Sequence, residues 1–433
     1  MTTTSSVRRK RALAYGSAVL VLAATFSIPT VVTAVTDPGG LVLTPPEPTG
    51  PHAVGRTELH LVDPDRGHPW VEEAASRDVM VSVWYPAGEE DGDGTEPEPA
   101  PYITPSVADV LMSQLEQGGL HRDTVDFAAS RANALQDAAV SGAGPFPVVL
   151  YSPGFREPRF LNTSNIEELV SHGYVVAAMD HPYETLAVDM PDGRVLRTNA
   201  PSYDADTARE TIAVRRADTR LVLDGLTELA EGASPDASDQ ESPAGLGEAL
   251  DLNAVGMFGH SAGGFTAAEA MLVDDRIDAG INMDGSIGYH SGDEVWADAN
   301  LRGTDRPFAL LTAGVSGSGR EPHHSGHDKG YRMFVEASSA PVLEVYMADG
   351  EHMGYTDQQW ILPAIEEFHH PGGRAWDDLV AGAIGTVDPE GSVRAQRAHI
   401  TAFFDAHLRG EDAPVLEGPS SDLPEVEFID HDW

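Results

Sequence analysis

The stretch AVGMFGHSAGG, residues 254–264, decides how the rest of the 433-residue chain is read. Its first five residues, Ala254 to Phe258, form a short unbroken apolar run that suits a strand buried on both faces. Gly259-His260-Ser261-Ala262-Gly263 then matches G-x-S-x-G, and a helical stretch runs from Gly264 to Val273. A serine on a tight strand-to-helix turn takes a strained, positive φ, and the residues two before and two after it must be small. Gly259 and Gly263 meet that demand. The turn lifts the hydroxyl above the sheet and points a helix N-terminus at it. Five such letters occur by chance in a chain with 43 glycines; their place between a buried strand and a helix makes Ser261 the candidate nucleophile.

Working outward, the same kind of apolar run recurs at 147–152 (PVVLYS), 174–179 (YVVAAM), 277–283 (IDAGINM), 307–313 (PFALLTA) and 341–348 (PVLEVYMA). Helical stretches at Asn165–His172 and Thr207–Ala230 lie among them, and an amphipathic helix at Arg394–Leu408 closes the chain. Strand–helix alternation predicts an α/β fold with a mostly parallel central sheet and helices on both faces. Upstream, Val54–Val62 and Val79–Tyr85 alternate apolar and polar residues, which predicts two antiparallel strands with one wet face. Residues 106–140 carry helical spacing at Val107, Val110, Leu111 and Leu115, so a helical insertion is expected over 102–143. Residues 35–52 read as a linker, and 89–101 and 231–250 as acidic loops, within a catalytic domain spanning 53–433.

A serine hydroxyl needs a base to attack at neutral pH. In a sheet of this kind the base lies C-terminal to the serine, and the candidates are His290, His323, His324, His327, His352, His369 and His370. His352, in ADGEHMG just after the run at 341–348, has the best position; His369 and His370 follow a helical stretch and read as its cap. An acid must orient the imidazole. Two positions are open: Asp284, at the end of the run 277–283, and Glu321, farther along the loop after 307–313. Sites gather at the C-terminal ends of parallel strands, which favours Asp284. The oxyanion needs backbone N–H donors. Ala262 follows the nucleophile, and Phe155 lies in Pro153-Gly154-Phe155-Arg156 after the run 147–152. His323-His324-x-x-His327-Asp328 has metal-like letters but no helical or strand frame, and reads as a wet loop.

Taken together, VVLYSPGFREPRF, GYVVAAMDHPYE, GHSAGG, GINMDG and the late strand leading to GEH resemble the α/β-hydrolases of the platelet-activating-factor acetylhydrolase type II group over roughly residues 75–410. DHPYETLAVDMPDGR also looks like that group's loop after its fourth strand. The resemblance implies an α/β-hydrolase fold and places the group's functional residues on Ser261, Asp284 and His352, with oxyanion amides at Phe155 and Ala262. It implies a serine carboxylic-ester hydrolase that needs no cofactor and no metal. The partner would be a small-molecule or lipid ester carrying a short acyl chain, and no stable protein partner is implied. The group is also similar to lipases and polyester hydrolases, so longer or polymeric esters are the alternative. SPGF at 152–155 departs from many relatives, which carry a histidine before the glycine.

The charge and the N-terminus narrow the setting. With 27 Lys and Arg against 69 Asp and Glu, the chain carries a formal charge of −42 and is expected to bind no nucleic acid. Absent cysteine rules out disulfides and thiolate chemistry. Residues 1–34 hold no acid, a basic run Arg8-Arg9-Lys10-Arg11, an apolar stretch from Ala12 to Ile28 and a small-residue site at Val32-Thr33-Ala34. That is the pattern of a secretory signal peptide, with a membrane anchor as the alternative. Dense surface carboxylates repel one another until salt screens them. The melting temperature is therefore expected to rise between low and molar salt, and a scanning calorimetry series that found it flat would remove the salt-tolerance reading.

Overall fold

The computed structural model describes residues 40–72, 76–88, 97–117, 120–289, 294–316 and 320–430. The expected leader at 1–34, the start of the expected linker at 35–39, most of the acidic loop at 89–96 and the candidate His290 lie outside the described residues. The strands are β1 (Ala53–Asp63), β2 (Arg77–Ala87), β3 (Pro99–Pro101), β4 (Arg131–Gln136), β5 (Phe146–Ser152), β6 (Val175–Met179), β7 (Ala187–Asp189), β8 (Val195–Arg197), β9 (Leu250–His260), β10 (Ala279–Met283), β11 (Phe308–Ala313), β12 (Val315–Ser316), β13 (Glu321–Pro322), β14 (Val342–Met347) and β15 (Glu427–Phe428). The helices are α1 (Pro105–Gln117), α2 (Thr163–Ser171), α3 (Ala205–Ala230), α4 (Ala262–Met271), α5 (Asp298–Arg302), α6 (Lys329–Ala337), α7 (Gln358–His369), α8 (Arg374–Ile384) and α9 (Pro389–Phe404).

Eleven strands form one sheet in the order β15-β14-β11-β10-β9-β5-β6-β2-β1-β4-β3. The centre, from β14 to β6, is parallel, and β2 joins β6 antiparallel. Alternate side chains of each central strand feed two separate cores. Val149 and Tyr151 of β5 pack with Leu169 of α2 and Ile400 and Phe403 of α9. Val148 and Leu150 pack on the other side with Val222 and Leu226 of α3 and Phe265 of α4. Burial on both faces is why these strands have no polar alternation. Asp204, Asp328 and Asp388 cap the N-termini of α3, α6 and α9, accepting from backbone N–H groups three residues on. No helix among the described residues is long and apolar enough to cross a membrane.

Three local readings are corrected. The helical reading of 106–140 holds only for α1; the segment then makes β4, which pairs parallel with β1 and antiparallel with β3. The sequence RANALQ carries no β-branched residue, so its strand state comes from its neighbours rather than from propensity. Residues 40–52 are a strap, not a free linker. Leu43 is buried, Leu41 N–H donates to Thr124 O at 2.9 Å, Thr49 N–H donates to Glu168 at 2.9 Å, and Arg397 donates to the Pro46 and Glu47 carbonyls at 2.7 and 2.8 Å. The wet face expected of the β1–β2 hairpin is covered as well. Every residue of β2 is buried. Arg159 lies across that face, donating to Ser82 Oγ at 2.6 Å and Glu58 Oε2 at 2.8 Å and pairing with Asp180.

Arg159 is buried and balances two carboxylates, one of them fully enclosed. Removing one partner of a buried ion pair leaves the other charge uncompensated, at a cost of about 3–5 kcal/mol. Arg159→Ala is expected to lose that much in urea unfolding; a loss below 1 kcal/mol would show that Asp180 and Glu58 do not depend on it.

Candidate active site

Three strand ends meet above the centre of the sheet. β9 ends at His260, and Ser261 follows with φ 54° and ψ −120° before α4 begins. Its N–H donates to Met283 O at 2.9 Å, which ties the turn to the neighbouring strand β10. A non-glycine residue at positive φ costs about 1–3 kcal/mol, so the surroundings must enforce it. The glycines show how. A Cβ on Gly263 would lie 1.8 Å from Ser152 O, and one on Gly259 would lie 2.4 Å from the Gly263 carbonyl carbon. Only a chain without side chains at these two positions lets α4 sit against the end of β5.

Asp284 directly follows β10, also at positive φ (55°), and its N–H donates to Leu311 O at 2.8 Å. His352 follows β14 after a short turn. Its Nδ1 lies 2.6 Å from Asp284 Oδ2, and its Nε2 lies 3.0 Å from Ser261 Oγ. These are hydrogen-bond distances for a hydroxyl, an imidazole and a carboxylate in series. The Asp284 side chain is 2% exposed and that of His352 31%, so the imidazole is the reachable member.

The second carboxylate oxygen, Oδ1, accepts from Ala313 N–H at 2.9 Å and from His323 Nδ1 at 2.8 Å. Burial alone would push the Asp284 carboxyl up, but the His323 charge and the hydrogen bonds from His323 and His352 outweigh it and hold it well below the usual carboxylate range. His323 is raised in turn: burial opposes its charge, and Asp284 prevails. The reading of 323–328 as a wet loop is thus corrected for His323, which is buried beneath the site. His324 packs on Tyr346 and His327, while Glu321 is exposed, 3.4 Å from His327 and without a hydrogen bond to His352 among the described residues. His369 donates to Thr124 O at 2.6 Å, and His370 takes the left-handed cap position that ends α7.

A second buried ion pair stands behind the imidazole. His260 Nε2–H donates to the His352 carbonyl at 2.9 Å, and Nδ1 lies 3.0 Å from Glu157 Oε2. Both ring nitrogens face acceptors, an arrangement that the charged ring satisfies. Glu157 raises it against the effect of burial and is itself lowered by it. Glu157 also accepts from Gly154 N–H at 2.9 Å, in the loop after β5. The sequence reading passed over both residues. The signal was there: His260 is the variable letter of G-x-S-x-G, and Glu157 stands three residues past the loop glycine. Phe155, from the same loop, packs with Ala262, Ala200, Trp70 and Tyr203, its ring 4.9 Å from that of Tyr203. Among the described residues, neither the Phe155 N–H nor the Ala262 N–H has a protein acceptor.

Residues 42–289 match the family described as platelet-activating factor acetylhydrolase, isoform II. The chain is 29% identical over 404 residues to a probable 1-alkyl-2-acetylglycerophosphocholine esterase of Arthroderma benhamiae, covering 89% of this chain and 93% of that protein. Its structure is similar to that of a ferulic acid esterase from Streptomyces cinnamoneus, with a TM-score of 0.68 and 29% identity over 89% of this chain and 99% of that one. The architecture is the α/β-hydrolase fold.

Because His323 has a raised pKa in the folded state, its protonation favours folding below the ordinary histidine value, and that contribution fades as pH climbs through the raised one. The melting-temperature gap between the wild type and His323→Gln should be widest at about pH 5.5 and narrow toward about pH 9. A gap independent of pH would mean that the charge on His323 does not contribute.

Proposed function

The chain belongs to the platelet-activating factor acetylhydrolase, isoform II, family and is a carboxylic-ester hydrolase, and on that premise we propose that Ser261, His352 and Asp284 form its catalytic relay. The observation that carries the reading is the continuous chain of hydrogen bonds from Ser261 Oγ through the His352 ring to Asp284, at 3.0 and 2.6 Å. Ser261 Oγ attacks the ester carbonyl while His352 Nε2 takes its proton. Asp284 keeps Nδ1 protonated, so that Nε2 is free to act as base, and it stabilises the imidazolium that forms. The Phe155 and Ala262 N–H groups receive the carbonyl oxygen as it gains negative charge. His352 returns the proton to the leaving alcohol. Water, activated by the same nitrogen, then attacks the acyl-enzyme and releases the acid. Side chains, backbone amides and water supply every group that acts on the ester in this scheme, so the proposed relay needs no metal or cofactor.

The substrate we assign is a short-acyl ester, including the acetyl ester of a phospholipid. The named activity of the Arthroderma relative supports it, as does the small cluster of Phe155, Ala200 and Ala262 beside the nucleophile. Trp70 and Tyr203 on the same cluster, together with the ferulic acid esterase as a relative, favour an aryl-acid ester as a second reading. A lipase or polyester hydrolase would need a long apolar groove there instead. The leader at 1–34 supports a secreted enzyme acting on such esters outside the cell.

A fluorophosphonate is expected to label the protein once, and Ser261→Ala to abolish labelling and cut kcat on the order of 10⁶-fold. Labelling that survives in the alanine variant would refute the assignment of the nucleophile. Across p-nitrophenyl esters from acetate to palmitate, with methyl ferulate alongside, turnover should peak at the shortest acyl chains. A maximum at palmitate would move the enzyme to the lipases, and one at ferulate to the aryl esterases.

A further inference from the structure

Helix α3 sends a fully buried guanidinium against the loop that carries Phe155. All five of its N–H groups have partners. Arg215 Nε donates to Glu184 Oε2 at 2.9 Å, and one Nη2 hydrogen pairs with Glu184 Oε1. The other Nη2 hydrogen goes to the Gly154 carbonyl at 2.9 Å, and Nη1 reaches the Pro153 carbonyl at 2.5 Å and Ser152 Oγ at 3.0 Å. An arginine whose five donors are all spent, two of them on carbonyls of one turn of backbone, has a fixed position and fixes what it holds.

The consequence concerns one peptide plane. The Gly154 carbonyl and the Phe155 N–H belong to the same peptide, which is trans. In a planar trans peptide the C=O and the N–H point in opposite directions. Holding the carbonyl toward α3 therefore aims the N–H away from α3. We propose that Arg215 is the positioning residue of the oxyanion site: it clamps the Gly154 carbonyl so that the Phe155 amide is turned toward the reacting ester before substrate arrives. This rests on the assignment of Phe155 as a donor made above.

The clamp is braced from behind. Ser152 Oγ, which accepts from Arg215, lies 2.9 Å from His181 Nε2, and His181 Nδ1 lies 2.8 Å from Asp218 Oδ2. Asp218 in turn holds Arg77 through two bonds, at 3.0 and 2.5 Å, and Arg66 at 2.7 Å. Asp218, His181 and Ser152 repeat the residue types of a relay, but all three are fully buried and the serine oxygen is occupied. Their arrangement suits support, not attack. Glu184 completes the frame, with Arg156 N–H 3.4 Å from its Oε1. A mispointed amide raises the barrier without weakening ground-state binding, because an oxyanion donor acts on charge that develops only in the transition state.

The test compares the wild type with Arg215→Lys, which keeps a charge beside Glu184 but offers three donors at one nitrogen in place of five on a planar fork, and Arg215→Met. On p-nitrophenyl acetate, kcat for Arg215→Met should fall on the order of 10²-fold with KM within about threefold, as for loss of one oxyanion donor, and Arg215→Lys should lie between. The second readout is the ¹⁵N–¹H resonance of Phe155 in phenylalanine-labelled protein, identified with Phe155→Leu, before and after reaction of Ser261 with a short alkyl fluorophosphonate. It should move on phosphonylation in the wild type and move little in the Arg215 variants. A Phe155 resonance that stays still in the wild type would overturn the donor assignment itself. A resonance that shifts equally in wild type and folded variants, or a kcat left within threefold, would overturn the role of Arg215 alone. Insolubility of both variants would place Arg215 among residues of the fold and overturn the proposal too.

Discussion

The carboxylate of Asp284 stands where β10 ends, and three donors from other segments converge on it. His352 arrives after β14, His323 from the loop after β11, and the Ala313 N–H from the last residue of β11 itself. Each donor belongs to a segment remote in sequence, so the carboxylate is satisfied only when the parallel strands are in register. An isolated ionised carboxyl in such a place would cost far more than the fold could absorb. With its partners it becomes the point that fixes the imidazole of His352. The Ser261 turn hangs on the same register through its bond to Met283, one residue before Asp284. Strand alignment and site geometry are therefore a single constraint.

Charge buried on purpose recurs around this point. Arg159, Arg215 and Arg77 are among the largest fully enclosed side chains, each facing a carboxylate. Well-packed apolar groups often stabilise as much as such pairs, so stability is a weak reason for them. Direction is a better one. A guanidinium fork or an imidazolium with two acceptors tolerates one arrangement of its neighbours, whereas a leucine tolerates several. The chain has no cysteine with which to pin its loops. The loops beside Ser261 are instead held by Arg215 and Glu157, and the strap at 40–52 by Arg397 and Glu168.

What could be read from the sequence follows from where the information lies. The central strands were legible because burial on both faces leaves unbroken apolar runs, and Ser261 because its turn demands small residues at fixed offsets. Asp284 and His352 were legible as strand-end positions. By contrast, RANALQ became β4 through pairing with β1 and β3, a tertiary effect that leaves no local trace. The strap has no periodic apolar pattern, since its backbone amides and carbonyls, not its side chains, make most of its contacts. His323 lay hidden in a run of loop-forming residues, and only the fold shows that its ring meets Asp284. The wet face of β1 was a fair inference from alternation; Arg159, from a segment 101 residues beyond Glu58, covers it.

A protein with a formal charge of −42 must nevertheless stabilise an oxygen that becomes negative as the reaction proceeds. Distance settles the conflict. Surface carboxylates farther off than about 8–10 Å are largely screened at physiological salt, whereas groups inside a dry site are screened much less. Next to Ser261 the buried charges come as cation–carboxylate pairs, and the N-terminus of α4 adds a dipole whose positive end faces the site. The His260 ring, its pKa raised by Glu157, sits behind His352, the guanidinium of Arg215 lies under the Phe155 loop, and the N-terminus of α4 begins at Ala262. The nearby carboxylates, Glu157, Glu184 and Asp284, are each neutralised by a bonded partner. A strongly acidic exterior and the proposed anion-stabilising centre are compatible because each of these inner carboxylates is paired and, in the proposed mechanism, the Phe155 and Ala262 N–H groups face the substrate.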